Sequence, residues 1–481
     1  MKNKYLLIIA VFFLNALHAQ VRQVIDFNTN WKFYLGNDST AINTTYNDTK
    51  WRILSLPHDW SIESNFIKDA TATNQGGSLP GGIGWYRKIF TLPASAKNKN
   101  VTIEFDGVYK NSEVWINGKY LGKRPYGYAN FLYDLTPHLF FDKANVIAVK
   151  VDNSQQPDSR WYSGSGIYRD VKLLIKNRIA FKENGLYIMP SVVDGDGSLN
   201  IHAWMQAPEK SKELFNIVYQ LFDASGRLVK DESYHTMMMD ELQGDNTKYL
   251  FTYRFKNPVL WSPNQPYLYT LKAKLLINGV QKDEVHIRIG IREFSFDAQK
   301  GFFLNNQSLK IKGVCMHHDL GALGAAFNKA AAKRQLQILK DMGCNAIRFS
   351  HNPPASAMLD LCDEMGFLVM DEAFDMWKKK KNKFDYHLYF DEWAEKDLQA
   401  MVLRDRNHPS VFMWSIGNEI REQFDSTGTG ITKKLVDIVK QLDPTRPVTS
   451  ALTETMPEKN FITKANALDV LGFNYKYYDY P

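Results

Sequence analysis

The sequence predicts a multidomain protein built from a jelly-roll β-sandwich, an immunoglobulin-like β-sandwich and an incomplete (β/α)8 TIM barrel. Three changes of rhythm predict it. Residues 21–178 alternate as short strands between Gly- and Pro-rich turns, residues 179–294 carry longer strands, and residues 295–481 alternate strands with amphipathic helices. In front of them, residues 1–20 read as a cleaved signal peptide.

The leader comes first in the chain. Lys2 and Lys4 give a positive start, residues 6–17 are almost wholly apolar, and Ala19 precedes a plausible cleavage point before Gln20, although Leu17 is large for its place. A dozen apolar residues is too short to cross a bilayer, which takes roughly 20. Export to a periplasm or beyond is therefore expected. No Cys near the cleavage point offers a lipid anchor, and no other stretch is apolar enough to span a membrane.

In the first sandwich, residues 101–105, 112–116 and 146–151 are strands. The Asn117-Gly118 pair predicts a hairpin turn, because both central residues of that turn need positive φ. Gly76-Gly77, Pro80-Gly81-Gly82 and Gly164-Ser165-Gly166 punctuate the remainder. In the second sandwich, residues 214–222 and 267–277 alternate, with Asn278-Gly279 as another hairpin turn. The Cys…Trp…Cys spacing of true immunoglobulin domains is absent.

The third region reads as a strand at 309–314, a helix at 328–342 stopped by Gly343, a strand at 346–349, a helix at 355–365 stopped by Gly366 and a strand at 367–370. A helix at 389–404, a strand at 411–414, a helix at 431–442 and strands at 448–452 and 468–473 follow. Repeated βα units predict a parallel sheet closing into a barrel. Six strands are two short of closure, so the chain is expected to be a fragment of a longer product.

Composition narrows the function. Hydrophobic content of 44% and charged content of 23% are those of a globular protein. The net charge of +7 is dispersed, and its densest run, Lys378 to Lys381, reads as a solvated loop rather than a nucleic-acid footprint. Three cysteines, Cys315, Cys344 and Cys362, form neither a complete disulfide framework nor a zinc spacing, and read as buried free thiols. Eleven Trp and 24 Tyr suit a protein that stacks aromatic planes on pyranose faces.

Polar residues just beyond each barrel strand converge on one mouth. The six positions give His317-His318-Asp319, Ser350-His351-Asn352, Asp371-Glu372 with Asp375 and Trp377, Asn418-Glu419, Thr453-Glu454, and Asn474-Tyr475. This set resembles a carbohydrate pocket: hydroxyl partners, aromatic walls and carboxylates for acid–base work. Each member also has a plain structural reading. Asp371 and Glu372 could pair with Arg348 or Arg404, His317 and His351 could be satisfied rim histidines, and Glu454 could be a solvated loop residue. Their spacing does not support a metal site, and no cofactor is expected.

The segment from Asp405 to Glu419, DRNHPSVFMWSIGNE, is the most informative. An apolar strand delivers Asn418 and Glu419 at its carboxyl end. With Asp405-Arg406-Asn407-His408-Pro409-Ser410 before it, this stretch resembles the acid/base signature of glycoside hydrolase family 2, the β-galactosidase and β-glucuronidase family. Asn345 to His351 followed by Pro353 resembles the family's other signature, with Asn352 where a Tyr is usual. Gly313-Val314 with His317 resembles the first barrel strand. Trp85-Tyr86-Arg87 and Gly164 to Arg169 resemble the sugar-binding sandwich. The three-part order covers the whole mature chain.

The resemblance implies roles. Glu419 would be the general acid/base of a retaining hydrolysis and Asn418 would bind the sugar 2-hydroxyl. His317 and His351 would contact the sugar, and Asp158 would reach over from the first domain; the strand-end positions add Asn474 and Trp377 to the expected substrate pocket. The nucleophile Glu, which the family carries on strand seven, is expected beyond Pro481. The magnesium motif of β-galactosidases is not recognisable in Phe374, Asp375, Met376 and Trp377, so no essential metal is expected. The implied substrate is a β-galactoside or related oligosaccharide. The alternatives are a β-glucuronidase or β-mannosidase of the same family, or a carbohydrate-binding protein without catalysis.

Overall fold

The structure, a computed structural model, describes residues 21–207, 214–238 and 248–479. The expected signal peptide and the place expected for the nucleophile both lie outside these residues. No helix among the described residues is long and apolar enough to cross a membrane.

Two antiparallel sheets form the first sandwich. The six-stranded sheet runs Arg52–Leu54, Trp31–Leu35, Gly82–Thr91, Ala144–Asn153, Ser112–Ile116 and Lys119–Arg124 from edge to edge, and the four-stranded sheet runs Arg22–Asp26, Val171–Asn177, Lys99–Phe105 and Phe131–Asp134. Alternation along the strands sends Val101, Ile103, Phe105, Val114, Ile116, Val149 and Val151 inward onto Trp31, Trp60 and Tyr86. The Asn117-Gly118 hairpin forms as expected, with φ of 50° and 77°.

The second sandwich pairs a three-stranded sheet (Ala180–Val193, Asp196–Gln206, Lys248–Phe255) with a four-stranded one (Leu228–Met238, Leu214–Phe222, Tyr269–Ile277, Val280–Ile289). Strict alternation in Tyr269–Ile277 buries every second residue. Asn278 and Gly279 again turn with positive φ. Arg22 ties the two sandwiches, donating to Asp283 and Glu183.

Six parallel strands follow in chain order: Gly313–Met316, Ala346–Phe349, Leu368–Glu372, Val411–Asn418, Val448–Leu452 and Gly472–Phe473. The helices Lys329–Asp341, Ser356–Met365, Phe390–Asp405 and Thr427–Leu442 cover the outside and share one core with the strands. Asn328 caps the first of these helices by accepting from the Ala331 amide. Gly366 ends the second with φ of 73°, and a Cβ there would stand 2.4 Å from the Pro263 carbonyl, so only Gly fits.

The structure corrects several boundaries. The first barrel strand is Gly313–Met316 rather than 309–314, because Leu309 joins Phe302, Phe412 and Trp261 in a plug of apolar residues under the sheet. The fourth strand does not break at Ser415 or Gly417 but runs to Asn418 with all eight residues buried. The sixth strand pairs only at Gly472–Phe473, where 468–473 was expected. Of the three free thiols only Cys362 is buried, and Cys315 is exposed on the first strand, which pairs on one side only.

Arg169 locks the first sandwich to the barrel. It is buried and donates to the carbonyls of Tyr128, Pro353 and Pro354, the last two in the loop that follows His351. Asp106 of the sandwich reaches the same loop, accepting from the Ser356 amide at 3.1 Å and from Arg404 at 3.2 Å.

Asp371 points away from the mouth. It is fully buried, no donor reaches either carboxyl oxygen, and burial together with the charge of Asp405 and a hydrogen bond shared with it holds its pKa well above the carboxylate range. A raised folded-state pKa stabilises the fold below the unfolded pKa, and that contribution is lost as pH rises through the folded value. Asp371→Asn should therefore leave thermal stability at pH 4 unchanged and raise it at pH 8, by about 1–3 kcal/mol. Thermal melts at the two pH values check this; equal shifts at both would count against a protonated Asp371.

Candidate active site at the barrel mouth

Glu419 stands at the end of the fourth strand. Its backbone has φ of 48°, an uncommon conformation for a residue with a side chain, and its amide donates to the Ala451 carbonyl at 2.7 Å. This turn lifts the carboxylate out of the strand into the mouth, where it is half-buried. Oε1 accepts from Asn474 Nδ2 at 2.9 Å and Oε2 accepts from Arg160 Nη1 at 3.3 Å. Burial raises the Glu419 pKa, but hydrogen bonds from Asn474 and Tyr475 and the charges of Arg160 and Lys381 outweigh it, and the net shift is downward.

Asn418 is fully buried beside it. Its Oδ1 accepts from Arg348 at 2.8 Å and Asn474 at 3.0 Å, and its Nδ2 donates to Asp375 Oδ1 at 2.8 Å. Asp375 in turn takes Arg160 Nη2 at 2.6 Å and Lys381 Nζ at 2.9 Å. Burial alone would raise its pKa, but Lys381 and Arg160 bring it down to about 2, so it is a carboxylate at working pH.

Glu372 anchors the opposite side. It is fully buried, accepts from Arg348 at 2.8 Å and from Ser415 Oγ at 2.6 Å, and lies 2.6 Å from His351 Nδ1. That last contact fits an Nδ1–H donated to the carboxylate, which leaves Nε2 on the far side of the ring. His317 stacks on Trp161 at 5.1 Å and meets His351 edge-on at 5.7 Å. Burial and His351 lower the His317 pKa, so its ring is neutral, and its buried Nδ1 has no partner. Next to these rings a recess of about 40 Å³ is lined by Trp161, His351, Asp375, Asp158 and the Tyr126, Tyr128 and Tyr386 rings.

The expected site residues therefore separate into groups. Glu419, Asn418, Asn474, His317 and His351 come together at one mouth. Asp158 lines the recess, but its Oδ2 is held by Lys110 at 2.9 Å and the Tyr109 hydroxyl at 2.8 Å. Trp377 is not a pocket wall: it is fully buried behind the fourth strand, donates Nε1 to the Ile416 carbonyl and packs on Phe390. Ile420 fills the space that Gly417 leaves, since a Cβ there would lie 2.5 Å from its Cγ1, with the indole Nε1 at 3.1 Å. Glu454 accepts from the Met456 amide in its own turn, which fits the solvated reading.

Two residues were not expected at the mouth: Arg160 and Lys381. Lys381 belongs to the basic run read as a solvated loop. Lys378, Lys379 and Lys380 are exposed, but Lys381 turns inward onto Asp375 and the Asn418 carbonyl. Arg160 stands two positions after Asp158 in the same loop. A two-residue step along an irregular loop carries no periodic signal, so sequence spacing could not choose between them.

Two other features lie elsewhere. A groove of about 420 Å³ lined by Arg292, Asn407 and Arg446 sits at the amino end of the fourth strand, so size alone does not mark the mouth. Among the described residues one trio of possible metal ligands occurs, Asp360, Asp363 and His408, also at that end. Arg288 takes Asp360, and Asp363 accepts from His408 and the Ser410 amide, so ion pairs already explain it.

Comparisons with known proteins agree with the geometry. Residues 24–177 match the family model described as glycosyl hydrolases family 2, sugar binding domain. Residues 181–292 match glycosyl hydrolases family 2, and residues 297–479 match its TIM barrel domain. The chain is 48% identical to the β-galactosidase BoGH2A of Bacteroides ovatus over 96% of its own length and 57% of that protein's. It is 41% identical to a putative β-glucuronidase of Formosa agariphila over 88% of its own length and 39% of that protein's. A crystal structure of a family 2 member from Bacteroides cellulosilyticus superposes with a TM-score of 0.91 at 38% identity, covering 94% of this chain and 59% of that one. The chain thus spans between 39% and 59% of the length of these relatives.

Proposed function

The chain belongs to glycosyl hydrolases family 2, and from that premise we propose that the whole protein is an exported glycosidase that hydrolyses terminal β-D-galactosides with retention of configuration. The observation that carries the proposal is Glu419, lifted into the mouth beside Asn418 and within reach of solvent. In this reading Glu419 protonates the departing oxygen, then removes a proton from the water that releases the sugar. Asn418 binds the 2-hydroxyl. His317 and His351 line the sugar's edge, and Trp161 offers an aromatic face.

Retention also requires an attacking carboxylate roughly 5–5.5 Å from the acid. Glu372 and Asp375 do not suit that task, since each is buried and paired with cations. Because the relatives are so much longer, the attacking group is assigned to a strand laid beside the sixth.

A neutral sugar is favoured over a uronate. At the mouth Arg348 is matched by Glu372, and Arg160 and Lys381 are matched by Asp375 and Glu419. A sugar carboxylate approaching these three cations would find each already matched, and burying an unpaired charge is costly. The 48% identity to a β-galactosidase supports the same choice.

The test is turnover by the full-length protein of aryl β-D-galactoside, β-D-glucuronide and β-D-mannoside. A galactoside preference with the β-anomer as first product is expected. A preference for glucuronide or mannoside would replace the substrate, and tight binding of all three without turnover would replace catalysis by carbohydrate binding.

A further inference from the structure

We infer that Arg160 is a positioning residue: from the first sandwich it holds Glu419 as a carboxylate until a sugar arrives, so that contact between sandwich and barrel governs when the acid/base carries its proton. The inference rests on the reading of Glu419 as the acid/base.

Arg160 is fixed before it reaches Glu419. Its Nε and Nη2 grip the two oxygens of Asp375 at 3.2 and 2.6 Å, which sets the plane of the guanidinium. Only Nη1 remains, and it lies 3.3 Å from Glu419 Oε2. The loop that carries Arg160 is pinned on both sides. Asn382 Nδ2 donates to the Ser159 carbonyl at 2.8 Å, and the Phe384 amide donates to the Pro157 carbonyl at 3.1 Å.

The charge balance then favours ionisation. Arg160 faces Glu419 from the sandwich, Asp375 and Lys381 from the loop after the third strand, and Asn474 and Tyr475 from beyond the sixth. Arg348, Glu372 and His351 stand one layer behind, through Asn418. Arg160 and Lys381 against Asp375 and Glu419 sum to zero only while Glu419 is ionised. Protonating Glu419 leaves one positive charge uncompensated in a half-buried pocket. The downward shift of the Glu419 pKa agrees. An acid catalyst needs the opposite state, so binding must loosen this contact. A sugar hydroxyl accepting from Nη1 would do so while Asp375 keeps its grip on the other two nitrogens.

The pH dependence of kcat/KM reports the free enzyme, and its alkaline limb reports loss of the acid's proton. In the full-length protein, Arg160→Gln should move that limb to higher pH, so that the ratio of kcat/KM at pH 6 to that at pH 4 rises about three- to tenfold. Arg160→Lys, which keeps the charge, should leave the limb near its original place. Loss of activity at all pH values with an unmoved limb in Arg160→Gln would mean a merely structural arginine and would overturn the inference. A second readout needs no turnover: the side-chain carboxyl 13C resonance that disappears in Glu419→Gln should titrate at higher pH in Arg160→Gln. An unshifted titration also overturns the inference. Absence of all glycosidase activity would instead remove the functional reading beneath it.

Discussion

Glu419→Gln is expected to lower kcat about 10²–10⁴-fold for glycosides with alkyl leaving groups and to leave dinitrophenyl glycosides cleaved at close to the normal first-step rate. The amide keeps the size of the side chain and its one oxygen can still accept from Asn474 or Arg160, so the fold and the binding of the sugar should survive. What disappears is the proton. A leaving group of high pKa cannot depart as an anion, whereas a dinitrophenolate can. The return step should slow as well, because no carboxylate removes the proton from water. Bursts of dinitrophenolate followed by slow turnover are therefore expected, and an added anionic nucleophile such as azide should speed the second phase. A comparison across leaving groups of graded pKa measures this directly. A loss that is the same for every leaving group would deny Glu419 the acid's part.

The second large effect concerns Glu372, which touches no reacting atom in this reading. Glu372→Ala should destabilise the fold by about 3–5 kcal/mol, because it leaves the guanidinium of Arg348 buried without its carboxylate. Arg348 also holds Asn418, and Glu372 also orients His351, so activity should fall beyond what loss of fold explains. Burial pushes the Glu372 pKa up, but Arg348, His351 and Ser415 more than offset it, and the net shift is downward. A depressed folded-state pKa gives stability that is present above the unfolded value and lost as pH falls through the folded one. The gap between wild type and variant should therefore narrow in strong acid. Adding Arg348→Met to Glu372→Ala should recover part of the stability, since the stranded charge goes with it. Chemical denaturation of the single and double variants would check the cycle. Strict additivity would mean that the pair does not interact.

Much of this arrangement was legible in the chain. Where a residue's neighbour is set by strand periodicity, as at Asn418, Glu419 and His351, reading the strand ends was enough. The pairing of Glu372 with Arg348 was also among the plain readings, because strands two and three are adjacent. Trp377 departs from the expectation for a physical reason: a residue beyond a strand end can turn either into the mouth or back under the sheet, and there the Ile416 carbonyl accepts its indole N–H and Phe390 packs on its ring. The fourth strand ran past Ser415 and Gly417 because Ser415 hydrogen-bonds Glu372 and the backbone still pairs with the fifth strand. Local propensity at Ser and Gly does not contain that partner. Arg160 and Lys381 lie in irregular loops, where side-chain direction follows from tertiary contacts alone.

The clasp around Arg169 spans two modules of the chain. The carbonyls that receive this guanidinium belong to Pro353 and Pro354, while the residue itself belongs to the sandwich. A barrel excised and expressed alone would lose the cation that seats the loop behind His351, together with the arginine that meets Glu419. A transplant meant to keep this geometry must carry both modules with their seam intact, and chimaeras joined across that seam should keep the mouth's arrangement only when both faces come from the same parent.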